Sequence, residues 1–168
     1  GLAMQETLGN LFAGVALQLD KPYEIGDWIE VVNGSGAKIS GQVYQISWRA
    51  TILISFSDEV ISVPNRTMAQ AQISIFNSKI KPFCKSVAFR LRHGSDFNEV
   101  RKKLLEVVET VKEVSVVPEP VVVLSEVGES YLTVKLVYSI QNYARQNLVA
   151  SEIQEKCLKV FQEHEVHL

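Results

Sequence analysis

The stretch DKPYEIGDWIEVV, residues 20–32, divides the chain into two architectures. Pro22 cannot continue a helix, because its ring occupies the space of the preceding turn and it lacks a backbone N–H. Gly26 supplies turn freedom, and Trp28–Val32 restarts the chain with aromatic and β-branched residues that suit a strand. Asp20 to Asp27 is therefore read as a connection between a helix and β structure.

Upstream lies GLAMQETLGNLFAGVALQL, residues 1–19, a single helix-like run. At 3.6 residues per turn, Leu8, Phe12, Val15 and Leu19 form an apolar stripe, and Gly9, Ala13 and Ala16 form a second stripe with almost no side chain. Small residues at this spacing let helix backbones approach closely. Gln5, Glu6, Thr7 and Asn10 would be costly against lipid but acceptable against water in a pore or a neighbouring helix. Residue chemistry alone leaves two readings open, an amphipathic docking helix and a pore-associated one. Nowhere does the sequence reach the roughly 20 uninterrupted apolar residues that span a bilayer.

Downstream, WIEVV, KISGQVYQIS, RATILISF, EVISV and AQISIF read as five short strands. NGSG and FSDE are their turns, and Ile52, Ile54 and Phe56 alternate with Thr51, Leu53 and Ser55. Gly41 inside the second strand is expected to mark a bulge or close backbone approach, giving a small, strongly bent barrel. VPNRTMAQ inserts a proline-led turn and one helical turn before the last strand. Past the basic stretch Asn77–Pro82 the pattern becomes α+β. FCKSVAFRL is a strand, and SDFNEVRKKLLEVVETVKEV is an amphipathic helix capped by Ser95 or Asp96, with Phe97, Val100, Leu104, Val107 and Val111 on one face. Two strands joined at Gly128 follow, then a helix whose buried stripe is expected to be Val149, Ile153, Cys157 and Val160. The order β-α-β-β-α is that of a ferredoxin-like split motif lacking its last strand.

With 168 residues, 46% of them hydrophobic, the chain can bury a core in one domain or two small ones. A net charge of −2 offers no basic excess for phosphates, which disfavours duplex nucleic acid as a partner. Cys84 and Cys157 lie far apart in apolar-periodic segments and read as reduced, packed thiols. No nucleophile–base–orienter series and no phosphate-binding glycine loop is present; NGSGAK is a hairpin turn. His164 and His167, flanked by Glu163 and Glu165, resemble a metal face, but a frayed helix end explains them better, since a structural site needs more ligands. His93 has no partner of suitable spacing. The chain begins at Gly1 with no visible signal peptide and reads as a piece of something longer.

GLAMQETLGNLFAGVALQLDKPYEIGDWIEV resembles the small-conductance mechanosensitive channel (MscS) family, whose pattern there is close to GLALQ-x-x-L-x-N-L-x-A-G followed by P-F-x-x-G-D. GQVYQISWRATILIS, ISVPNRTM and VPEPVVVLSEVGESYLTVKLVYSI match further motifs of that family in order. The resemblance implies residues 1–20 as the C-terminal part of a pore-lining helix, 21–78 as an Sm-like five-stranded β-barrel domain and 83–168 as a ferredoxin-like α/β domain. It also implies a tension-gated, non-enzymatic channel without cofactors in the inner membrane, with residues 21–168 on the cytoplasmic side. Its partners would be copies of itself in a homoheptamer, membrane lipid through upstream helices, and permeating ions and small osmolytes.

By the same resemblance Leu2 falls at the pore constriction, and Asn10 at the position linking the pore helix to the β domain. Gly9, Ala13, Gly14 and Ala16 serve helix packing and bending. Glu6 replaces the kink glycine of the best-known members, leaving Gly9 or Gly14 to bend the helix and adding carboxylates near the pore mouth that favour cations. Gly26, Asp27, Arg49, Thr51, Pro64 and Asn65 match architectural motifs. The alternative is a soluble Sm-like oligomeric module binding RNA or protein. The turns NGSG and FSDE lack the basic residues that RNA binding needs.

Overall fold

Helix α1 (Leu2–Asp20) ends where Lys21 turns into the left-handed region, at φ 43°, and donates its N–H to the Leu17 carbonyl at 2.9 Å, immediately before Pro22. The computed structural model describes residues 1–76 and 79–163, and the chain divides into two compact units, Gly1–Asn77 and Ser78–Leu168. The expected His164–His167 face lies outside the described residues.

In the first unit, β1 (Trp28–Val32), β2 (Lys38–Ile46), β3 (Ala50–Ile54), β4 (Val60–Pro64) and β5 (Gln72–Phe76) form an antiparallel sheet in the order β4-β3-β2-β1-β5. The single-turn helix α2 (Asn65–Gln70) connects its two edge strands. Asn33 closes the β1–β2 turn: its Oδ1 accepts from the N–H groups of Ser35 and Ala37, while Gly36 takes φ 81°. Ile29, Val31, Val43, Leu53, Val63 and Met68 make the core with Tyr23.

Two details refine the sequence reading. On β3 the inward face carries Thr51 and Leu53, both fully buried, while Ile52 and Ile54 are half-buried and Phe56 is exposed. The register shift in β2 falls between Val43 and Gln45 rather than at Gly41. Gly41 serves close approach instead, since a Cβ there would stand 2.9 Å from the Ile54 carbonyl oxygen.

In the second unit, β6 (Phe83–Arg92), β7 (Val121–Val127) and β8 (Tyr131–Ile140) form an antiparallel sheet in the order β6-β8-β7, with α3 (Phe97–Glu109) against β7 and α4 (Gln146–Glu163) against β6. Asp96 caps α3 by accepting from the N–H groups of Asn98 and Glu99. The buried stripe of α4 is Val149, Ile153, Cys157 and Phe161, so Phe161 takes the place expected for Val160. It stacks edge-on against Phe89, with ring centroids 5.5 Å apart. The chain is thus α+β, an N-terminal helix and two separate sheets.

Cys84 corrects the reading of two packed thiols, for it is exposed, and only Cys157 is buried. Burial pushes the Cys157 thiol up to about 12. Its ordinary value is about 8.5, so its contribution to stability is complete below that pH and is lost as pH rises toward the folded value. A maleimide at neutral pH is expected to add once, at Cys84, and a second time only after unfolding, as read by mass spectrometry. Equal labelling of both cysteines in the folded protein would contradict this packing.

Candidate functional site

The polar and small residues of α1 converge on α2 and on the turn between β2 and β3. Asn10 is buried, and its Oδ1 accepts from the Arg66 backbone N–H at 3.1 Å. This satisfies one of the open donors at the start of α2, whose own N-cap residue, Pro64, has no side-chain group to offer. One turn on, Gly14 is also buried. A Cβ at this position would collide with the Trp48 carbonyl oxygen and stand 2.8 Å from Asn65 Nδ2, so only glycine lets the helix approach this closely. Gly9 is half-buried, and a Cβ there would make an ordinary contact of 3.6 Å with Arg66 Cδ. Ala13 is half-buried beside Gly14, whereas Ala16 is exposed. α1 runs unbroken from Leu2 to Asp20, with no interruption at Glu6, Gly9 or Gly14.

Asn65 anchors the surface that Gly14 rests on. It is fully buried, donates from Nδ2 to the Ser47 carbonyl at 2.8 Å and accepts at Oδ1 from the Thr51 hydroxyl at 3.1 Å. Its backbone N–H donates to the Arg49 carbonyl at 2.9 Å. Because the single Thr51 proton is directed to Asn65, the Tyr23 hydroxyl is the donor in its 3.0 Å contact with Thr51 Oγ1. Burial raises the Tyr23 pKa above its ordinary value, against the smaller opposing effect of the Thr51 bond, which keeps this donor protonated. Tyr23, Thr51, Asn65 and Ser47 thus form one chain of bonds joining the segment after α1, β3, α2 and the β2–β3 turn.

The remaining motif residues serve turns. Gly26, at φ 97°, donates its N–H to the Val43 carbonyl at 2.8 Å, and Asp27 Oδ2 accepts from the Glu24 N–H at 2.9 Å. Pro64 ends β4 opposite Ala50, and the Arg49 side chain is exposed. Leu2 is 86% exposed and Glu6 is exposed, both on the first two turns of α1. Tyr23, Ser47 and Arg66 were missed by the sequence reading. Only the tyrosine carried a signal, an aromatic with a polar tip directly after a helix-ending proline.

Outward, α1 presents Leu2, Met4, Phe12, Val15 and Leu19, each at least 48% exposed. Such a run of large apolar side chains marks an interaction surface rather than scattered surface residues. Among the described residues no helix is long and apolar enough to cross a membrane, and no cluster of three His, Cys, Asp or Glu could hold a metal ion.

Residues 6–77 match the family described as mechanosensitive ion channel, beta-domain, and residues 86–168 match mechanosensitive ion channel MscS, C-terminal. The large-conductance mechanosensitive channel MscMJLR of Methanocaldococcus jannaschii is 31% identical over 96% of this chain and 44% of that protein. An uncharacterised MscS family protein of Synechocystis is 27% identical over the whole chain and 57% of its own length. The chain therefore spans about half the length of these relatives. Its fold is also that of the Helicobacter pylori MscS crystal structure in the closed state, with a TM-score of 0.80 at 22% identity over 99% of this chain and 62% of that one. Two family matches in sequence order, a shared fold and channel relatives aligned across nearly all its residues place one conclusion on the chain: it belongs to the MscS family of mechanosensitive ion channels.

Proposed function

We propose that the chain is part of a subunit of a membrane-tension-gated channel, contributing the lower end of the pore helix (residues 1–20), a β domain (21–78) and an α/β domain (83–168) on the cytoplasmic side. The observation that carries this reading is the division of α1 into two faces. Asn10 and Gly14 fix one face to α2 and the β2–β3 turn, while the opposite face leaves Leu2, Phe12, Val15 and Leu19 open to water. Copies of the same chain, seven as in the family pattern, cover that face around an axis, and membrane helices upstream bring lipid contact. Ions and small osmolytes pass through the assembly, and Glu6 places a carboxylate from each copy near the pore mouth. Tension favours the state of larger in-plane area, and the Asn10 and Gly14 contacts transmit helix rotation to the β domain. The relatives belong to a non-enzymatic class, and this mechanism is physical.

The test is at Leu2. A leucine ring closes a narrow pore by excluding water as well as by filling space. Leu2→Ser in the full-length channel is expected to lower the tension needed for opening in patch recordings and to slow growth of expressing cells. Leu2→Met, close in volume and polarity, should open at the parent's tension. An unchanged opening tension in Leu2→Ser would move the gate away from this residue.

A further inference from the structure

The turn between β1 and β2 takes no part in the channel reading, yet it brings together the parts of a covalent reaction. Asn33 is the one asparagine of the sequence followed by glycine. Asparagine is among the thermolabile residues, because the next backbone nitrogen can attack its carboxamide carbon. Here the side chain reaches across that nitrogen. Oδ1 accepts from the Ser35 N–H at 3.0 Å, so the ring closed by this bond contains both the Asn33 carboxamide carbon and the Gly34 nitrogen. Gly34 is exposed, its N–H has no hydrogen-bond partner among the described residues, and it has no side chain to shield it.

Oδ1 is also the atom on which negative charge develops as that carbon is attacked. It already accepts three bonds, from the Ser35 N–H, from the Ser35 hydroxyl at 2.6 Å and from the Ala37 N–H at 3.1 Å. Such bonds strengthen when their acceptor becomes an anion, so they stabilise the tetrahedral intermediate more than the amide. We propose that Asn33 is a self-modification site, converted in the folded chain to aspartate or isoaspartate. Water takes the Gly34 N–H proton, the nitrogen pair bonds to the Asn33 carboxamide carbon, and the carbonyl pair moves onto Oδ1. That pair returns as the bond to Nδ2 breaks, and Nδ2 leaves as ammonia with the proton that water carried. A second water adds to one of the two imide carbons and cleaves its bond to the Gly34 nitrogen, which regains a proton; nothing is oxidised or reduced. Opening at the side-chain carbon gives aspartate, which keeps an acceptor for the three donors. Opening at the backbone carbon gives isoaspartate and removes from the main chain the carbonyl that accepts from the Gly36 N–H at 2.9 Å, which loosens the turn.

The experiment holds full-length protein in lipid nanodiscs at physiological temperature and mildly alkaline pH in heavy-oxygen water, then digests it at acidic pH and maps the peptides by mass spectrometry. Heavy oxygen in the product separates conversion during incubation from conversion during handling. Asn33 should convert at least about tenfold faster than any other asparagine, since each of the others precedes a residue whose side chain hinders its nitrogen. Gly34→Ala should slow the reaction by about tenfold for the same reason. The turn itself tolerates that change, because Gly34 has a negative φ and an added Cβ would meet nothing within 4 Å. Ser35→Ala keeps both N–H donors to Oδ1 and loses the hydroxyl. It should react several-fold more slowly than the parent when folded and at the parent's rate when denatured in urea. An Asn33 rate no higher than that of the other asparagines, or conversion confined to the denatured protein, would overturn the proposal. So would equal rates in the folded state for the parent and either variant.

Discussion

Gly14→Ala is expected to unseat α1 from the β unit, at a net cost of about 1 to 3 kcal/mol, the range for overpacking a tight contact. The new methyl would meet the Trp48 carbonyl oxygen, with the Trp48 carbonyl carbon 3.1 Å and Asn65 Nδ2 2.8 Å away. None of these can swing aside. The carbonyl is backbone, and Asn65 is held by Ser47 and Thr51. Alanine would gain about 0.5 to 1 kcal/mol of helix propensity over glycine, which is less than the cost of the collision. Gly9→Ala provides the control on the same helix. There the nearest atom is Arg66 Cδ, on a flexible side chain at 3.6 Å, so the propensity gain should stand alone and leave stability equal or slightly higher. Hydrogen exchange along α1 and thermal unfolding of the two variants separate the cases. If Gly14→Ala protects α1 as well as Gly9→Ala does, the helix is not seated through Gly14.

The contrast between these glycines marks what could be read in the sequence. Hydropathy periodicity placed α1, all eight strands and the two long helices of the second unit, because those elements repeat a burial pattern within a few residues of themselves. It did not assign the face of α1 that the chain itself packs. The apolar stripe Leu8, Phe12, Val15 and Leu19 drew attention, yet these residues are exposed and the contact is made by an asparagine and a glycine. Apolarity identifies a surface that needs covering but not which molecule covers it, and here the described residues offer no cover. Close approach of backbones depends on missing side chains, which hydropathy scores poorly. The Asn65 network was legible only as a motif, because its bonds join residues 14 to 28 positions apart. Smaller errors have the same local origin. A stripe with strict i, i+4 spacing carries α4 to Phe161, and Cys84, inside an apolar-looking strand, falls on the side of β6 facing away from the core.

Asn65→Asp should be the most destructive single-atom change in the first unit, and its damage should depend on pH. Replacing Nδ2 by oxygen sets an ionised carboxylate against the Ser47 carbonyl, acceptor facing acceptor, at a fully buried position. An unpaired buried charge costs several kcal/mol unless the group takes up a proton. The start of α2 offers some compensation through its dipole, but this is about 0.3 to 1 kcal/mol in an exposed helix and does not offset burial. A protonated carboxyl, by contrast, matches the amide: its O–H can donate to Ser47 while its other oxygen accepts from Thr51. The folded-state pKa of the new aspartate must then lie above its unfolded value of about 3.9. A group raised in this way contributes fully below the unfolded pKa and loses its contribution as pH rises through the folded pKa. The stability gap between Asn65→Asp and the parent should therefore be at least about 3 kcal/mol at neutral pH and should narrow as pH falls toward 4, each unit of pKa elevation accounting for about 1.4 kcal/mol. Asn65→Leu, which cannot be rescued by a proton, should lose about 2 to 4 kcal/mol at every pH, through the Ser47 carbonyl and Thr51 hydroxyl it leaves without their partner. Denaturation of the three proteins across this pH range reads the difference directly. A gap for Asn65→Asp that stays constant with pH would mean that the side chain reaches water, and that the chain of bonds from Tyr23 to Ser47 does not hold the platform on which α1 rests.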